Sequence, residues 1–324
     1  MNTLAPIALF VYRRPWHTRQ TLESLASNPL SRQSELFIFA DAPPANAPDK
    51  TWQAVAGVRQ LIRERAWCGK VHIREATTPK GLAASIVEGV SEVVNRYGKI
   101  IVLEDDLYLS PGFLQYMNDA LVFYTTENQV MHINGYMYPL KLELPETFFY
   151  NVISSWGWAT WQRAWQAYCG DAQKLWQALQ DQKRSTHFDL QNSGGLLPHL
   201  LANVEGQINT WAIKWYASVY LRQGYCLCPR QSLVQNLGFD ASGTHAGSSR
   251  VYEVPQLAPA IRVGPIPLVE HQRVRQRMRA FYRYGGIGLS YRWQYWMNLT
   301  KTKIYYRCPV WLRRLYGRLK PTGR

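Results

Sequence analysis

Ile100-Ile101-Val102-Leu103-Glu104-Asp105-Asp106 joins four consecutive apolar residues to three consecutive carboxylates. A short, continuous, β-branched run reads as a strand buried on both faces. Its abrupt end places the three acids at the strand's carboxyl terminus. The same grammar recurs upstream. Ile7-Ala8-Leu9-Phe10-Val11-Tyr12 runs into Arg13 and Arg14, and Leu36-Phe37-Ile38-Phe39-Ala40 ends at Asp41, before a Pro-rich loop. Between these strands lie helix signals. Pro15 suits the first turn of a helix reaching about Ala26. Residues 50–66 read as a second helix and Val71-His72-Ile73 as a short strand. Leu82, Ile86, Val90, Val93, Val94 and Tyr97 form one helical stripe. Ser110-Pro111 caps a further helix through Phe113, Leu114, Met117 and Leu121.

Alternating strands and helices with fully apolar strands predict an α/β fold, a mostly parallel sheet covered by helices on both faces. Such sheets bind ligands beyond the carboxyl ends of their strands. Arg13-Arg14, Asp41 and Glu104-Asp105-Asp106 therefore converge on one edge from three strands. Beyond residue 125 the pattern is less regular. Val130 to Ile133 and Phe148 to Ile153 read as strands, and Trp156 to Trp165 is aromatic-rich. Residues 170–205 read as helix interrupted near Ser193-Gly194-Gly195, Trp211 to Leu221 as a helix, and Leu237 to Ser249 as a polar, Gly-rich loop. The expected divisions are 1–125, carrying the strand-end cluster, 126–255, and a tail, 256–324.

Three adjacent carboxylates repel one another, and a hard divalent cation is the usual agent that offsets this. Alone, the triplet reads as a solvated acidic loop. With Arg14 and Asp41 at sister strand ends it reads as a site where Mg²⁺ or Mn²⁺ meets phosphate oxygens. Arg14 has two readings of equal weight, a contact to phosphate or base edge and a surface salt bridge. Asp41 is either a hydrogen-bond acceptor for a nucleobase or ribose, or a turn cap before Pro43. Trp161 and Trp165, four apart, are expected on one helical face in the core. Trp158, after Gly157 in an expected loop, is assigned to a sugar-stacking pocket. The five cysteines are odd in number and lack metal-ligand spacing, so they read as reduced thiols.

Pro6 to Pro15, the VLEDD at 102–106, SSWGWATW at 154–161 and NLGFDASGTH at 236–245 together resemble bacterial sugar transferases related to N-acetylglucosaminyltransferase I. The resemblance covers roughly residues 5–250. It implies a Rossmann-like GT-A fold, an inverting transfer from a nucleoside-diphosphate sugar, of UDP type, and Mn²⁺ or Mg²⁺ as cofactor. It makes Asp106 the metal ligand, and Glu104 and Asp105 orienters of the donor. Arg14 and Asp41 hold the base, Gly157 and Trp158 shape the pocket, and His245 lies near phosphate or metal. The relatives carry a basic carboxylate just before a Trp; here Asn209 stands before Trp211, so Glu205 and Asp240 become the candidate catalytic bases.

Net charge is +15 over 324 residues. Residues 271–324 hold 14 Lys and Arg and no acid, leaving 23 basic against 22 acidic residues before them. The body is neutral and the tail basic. With its many Tyr and Trp, the tail suits an anionic membrane surface, which is favoured, or single-stranded nucleic acid. No apolar stretch is long enough for a membrane span and no secretory signal is evident. The expectation is a cytoplasmic enzyme, peripheral at the inner membrane face, acting on a glycan or lipid-linked acceptor. Alternatives are a nucleic-acid-binding protein and a catalytically inactive GT-A scaffold.

Overall fold

The computed structural model describes residues 3–240 and 251–285. The first half follows the expected alternation: β1 (Ile7–Val11), α1 (Pro15–Ala26), β2 (Glu35–Ala40), α2 (Asp49–Leu61), β3 (Lys70–Glu75), α3 (Leu82–Tyr97), β4 (Lys99–Glu104), β5 (Leu107–Leu109) and α4 (Phe113–Phe123). The second half adds β6 (Val130–Asn134), β7 (Thr147–Tyr150), β8 (Trp158–Trp161), α5 (Gln162–Trp165), α6 (Ala172–Asp181), α7 (Ser185–Phe188), α8 (Leu196–Val204), α9 (Trp211–Leu221), β9 (Tyr225–Pro229), β10 (Val234–Asn236) and α10 (Gln272–Ala280).

Eight strands form one sheet in the order β3-β2-β1-β4-β8-β6-β9-β7. β3, β2, β1 and β4 are mutually parallel. β8 runs antiparallel to both β4 and β6, and β7 antiparallel to β9. The mostly parallel, helix-flanked α/β sheet expected from the sequence is the one observed. Its continuous apolar strands serve two layers. Ile7, Leu9, Ile101 and Leu103 pack with α1, α2 and α4, while Ala8, Phe10, Ile100 and Val102 pack with α3, α5 and α9. All four residues from Ile100 to Leu103 are fully buried. Each contributes about 1.5–3 kcal/mol, which holds β4 in place although its end carries mutually repelling acids.

A third cluster lies beyond the β7 edge, where Phe148 and Tyr150 meet residues of α6, α8 and α9. The described start of the tail is packed into the body. Ala258 and Ile261 are buried in the first cluster, and Val274, Met278 and Tyr282 in the third. Arg275 is buried against Glu270 at 3.1 Å and donates to the His187 carbonyl. The expected division at 255/256 thus falls inside a packed run, and the sheet itself continues across 125/126. Among the described residues no helix is long and apolar enough to cross a membrane.

Two local readings are corrected. Residues 158–161 form a strand, not a loop or helix, so Trp161 and Trp165 sit on different elements. The strand was hidden because WATW has no polar alternation; it is buried between β4 and β6.

Candidate functional site at the carboxyl edge of the sheet

Strand register aligns the ends. Phe10 pairs with Glu104 and Val11 with Ala40, so Arg14, Asp41 and the acidic triplet leave the sheet at one edge. Arg14 is the residue before the first turn of α1, and Pro15 fixes where that helix begins. Its Nη2 donates to Asp105 Oδ1 and, at 2.9 Å, to Asp106 Oδ2. One guanidinium nitrogen thus bridges two buried carboxylates. Among its described contacts Arg14 makes a salt bridge inside the cluster rather than on the open surface.

A second segment reaches the triplet from far along the chain. β10 pairs antiparallel with β5, Asn236 opposite Leu107, which turns the following residues back over Asp106. The Leu237 amide donates to the Asp106 carbonyl at 2.7 Å. The Gly238 amide donates to Asn236 Oδ1 at 2.7 Å. A Cβ on Gly238 would lie 2.2 Å from Asp106 Oδ2 and 3.1 Å from Arg14 Nη1. Only glycine lets the backbone come this close to the carboxylate. Two residues on, Asp240 Oδ2 stands 3.1 Å from His17 Nε2. His17 is 5% exposed, on the first turn of α1. It also acts electrostatically on Asp105.

The electrostatics follow from burial. Desolvation, then the charges of Asp106 and Asp105, push Glu104 up to about 8, against the opposing pull of Arg14. Burial likewise raises Asp105, partly countered by Arg14. Burial alone would lower the Arg14 pKa, but the two aspartates outweigh it and raise it. The Glu104 carboxyl is thus held above the usual carboxylate range, and the aspartate pair faces a single guanidinium. Three carboxyl groups thus crowd around one guanidinium, an excess of acidic groups over basic ones.

That excess is what a hard dication would meet. Among the described residues no group of three or more His, Cys, Asp or Glu side chains forms a metal cage. Mg²⁺ and Mn²⁺ do not need one, since one or two carboxylates, waters and substrate phosphates suffice. The all-oxygen donors of Asp105 and Asp106 fit such an ion.

The remaining sequence candidates divide. Asp41 accepts from the amides of Ala42, Lys80 and Gly81 at 2.8, 2.9 and 2.9 Å. Its carboxylate ties the end of β2 to the start of α3, the turn-capping reading. Trp158 is a correction. It is fully buried in β8 rather than in a loop, stacked on Trp211 at 5.2 Å and on His132 at 5.1 Å. Gly157 does lie at the sheet edge, with φ +64°, its carbonyl accepting from the Gly135 amide at 2.7 Å. Glu205 is exposed at the end of α8, where it accepts from Gln207. Asn209 is exposed and accepts from Lys214 Nζ at 2.8 Å. His245 lies outside the described residues. Sequence reasoning missed His17, Asn236 and Gly238. Asn236 and Gly238 fell within the NLGFDASGTH motif without being singled out. His17 carried no signal beyond its place two residues after Pro15.

No protein-family profile matches the sequence, and no curated protein matches it. Solved structures align over part of the fold. A mannosyltransferase from Pyrobaculum calidifontis, in complex with GDP-mannose and Mn²⁺, aligns at TM-score 0.35 and 14% identity, over 49% of this chain and 45% of that one. TarS from S. aureus aligns at TM-score 0.29 and 16% identity, over 44% and 24%. A UDP-glucose pyrophosphorylase complexed with UDP-glucose aligns at TM-score 0.34 and 10% identity, over 71% and 91%. The chain thus spans less than half the length of the first two.

Proposed function

We propose that this chain is a metal-dependent glycosyltransferase that moves a sugar from a nucleoside-diphosphate donor, of UDP type, to a glycan or lipid-linked acceptor. The observation that carries the reading is the meeting of Asp105, Asp106, Arg14 and the Asn236–Asp240 segment at the carboxyl edge of the sheet. Polyphosphate ligands need cationic partners, and an edge with an acidic pair supplies them through a divalent ion. Asp106, with Asp105 beside it, would hold Mn²⁺ or Mg²⁺; when bound, the ion neutralises the developing charge on the diphosphate. Arg14 adds a fixed positive charge next to it. Glu104, the third carboxyl of the cluster, would orient the donor sugar.

Of the two candidate bases, Asp240 is the better supported. It is 47% exposed, beside His17 and next to the triplet, whereas Glu205 has its described contact with Gln207 on α8. In an inverting displacement the acceptor hydroxyl oxygen bonds to the anomeric carbon. The bond from that carbon to the diphosphate oxygen breaks, its electron pair leaves with the nucleoside diphosphate, and the hydroxyl proton passes to Asp240. The basic residues that follow residue 285 would hold the enzyme at an anionic membrane surface where lipid-linked acceptors reside.

The test is release of nucleoside diphosphate from UDP-glucose, UDP-N-acetylglucosamine and GDP-mannose in Mn²⁺. Asp106→Asn should lower the rate on the accepted donor by about 100-fold, the order expected when a group stabilising transition-state charge is removed. Release from none of them, or a rate indifferent to Asp106→Asn, refutes the proposal.

A further inference from the structure

Trp16 is the one large apolar side chain on the first turn of α1 that faces solvent, 59% exposed. Exposing an indole forfeits burial that the fold takes from Trp158, Trp211 and Trp215. Its ring stands edge-on to His17, centroids 4.9 Å apart. His17 in turn is buried between this indole and Asp240, with Nε2 3.1 Å from Asp240 Oδ2. At that distance the pair is within ionic reach, yet the Nε2 atom makes no hydrogen bond of good geometry. A buried polar atom without a good hydrogen bond, beside an exposed indole, is the mark of a site completed by something else.

We infer that Trp16, His17 and Asp240 form an acceptor subsite for an uncharged pyranose, an inference that rests on the transferase reading above. The chemistry favours a neutral sugar over a nucleotide. An exposed indole face takes the C–H face of a pyranose, just as amphipathic aromatics serve interfaces elsewhere. A carboxylate only accepts hydrogen bonds, so Asp240 suits a ligand rich in hydroxyl donors and repels a phosphate. The donor diphosphate and its ion belong with Asp105 and Asp106, and the acceptor with Trp16 and Asp240, with His17 acting on both groups.

The experiment uses the full chain and three probes, the methyl β-pyranosides of glucose, galactose and N-acetylglucosamine. Saturation-transfer NMR reports sugar contact, with and without Mn²⁺ and UDP, while calorimetry reports UDP and GDP binding in parallel. At least one pyranoside should receive saturation on its ring C–H protons. Trp16→Ala should weaken its binding by about tenfold, Trp16→Phe by less, and neither should change nucleotide affinity by more than about twofold. The side chain is exposed, so these variants keep the fold. No transfer to any pyranoside, transfer indifferent to Trp16→Ala, or nucleotide affinity falling in step with sugar affinity would each overturn the subsite. Absence of nucleotide binding in the unmodified protein would instead refute the transferase reading, and Trp16-dependent sugar contact would survive it.

Discussion

At the scale of single residues, the site is a contest between charge repulsion and close approach. Asp105 and Asp106 are both buried, and what sits against them is one guanidinium and one glycine backbone. Gly238 is the sharper test of that geometry. A Cβ 2.2 Å from Asp106 Oδ2 cannot be accommodated without moving the carboxylate or the loop. Gly238→Ala should weaken Mn²⁺-dependent nucleotide binding more than tenfold, measured by calorimetry, while costing only about 1–3 kcal/mol in urea unfolding. Unchanged affinity would show that the approach is slack. The triplet and Arg14 were legible because strand ends announce themselves as breaks in apolar runs. Gly238 and His17 were not, because each matters through a contact with a residue distant in sequence. Asp41 shows the limit from the other side: its position was legible, but three backbone amides compete for its oxygens.

At the scale of elements, the packing of α9 on β6 and β8 depends on a neutral histidine. His132 is fully buried, its Nδ1 accepts from Trp215 Nε1 at 3.1 Å, and its Nε2 faces the Ser154 carbonyl at 3.1 Å. Those partners specify a proton on Nε2 and none on Nδ1. Burial pushes its pKa from 6.5 down to about 3, only partly opposed by its hydrogen bonds to Ser154 and Asn134. Between those values the unfolded chain binds more protons than the folded one, so stability is fully present above about pH 6.5 and falls with pH below it. From pH 7.5 to 5.0 this one group should cost the protein about 2 kcal/mol. His132→Gln should show a correspondingly smaller loss in urea unfolding over the same range. Equal losses in both proteins would remove His132 from the account. Trp158 belongs to this same stack, which is why its place after a glycine misled the sequence reading. Aromatic residues are equally at home in cores and sugar pockets, and only the pairing of β8 with β4 and β6 decided between them.

At the scale of the whole molecule, charge and packing divide the tail at a different point from composition. The charge asymmetry begins near residue 271, yet α10 and the residues before it are built into the body through Arg275, Val274 and Met278. Composition recognised the basic tail but could not see that its first stretch covers the cluster beyond β7. A protein ending at residue 285 should therefore fold, while one ending at 255 should not. The former lacks nine Lys and Arg. If the tail contacts membranes, sedimentation with vesicles containing anionic phosphatidylglycerol should fall at least tenfold relative to the full chain, each cation being worth about 1 kcal/mol. Equal sedimentation would detach the tail from any membrane role. The sheet was the most legible feature at this scale, since its parallel half is written in apolar runs; the return of β10 to β5 was not, because three-residue strands carry little pattern. That return brings the Asn236–Asp240 segment to Asp106, and the central claim rests on the cluster it completes. Isothermal calorimetry of UDP and GDP, with and without Mn²⁺, on the unmodified protein and Asp106→Ala tests it most directly. The account predicts binding of one nucleotide that requires Mn²⁺ and weakens at least 100-fold in the variant. Metal-independent binding, or binding that Asp106→Ala leaves intact, would contradict it.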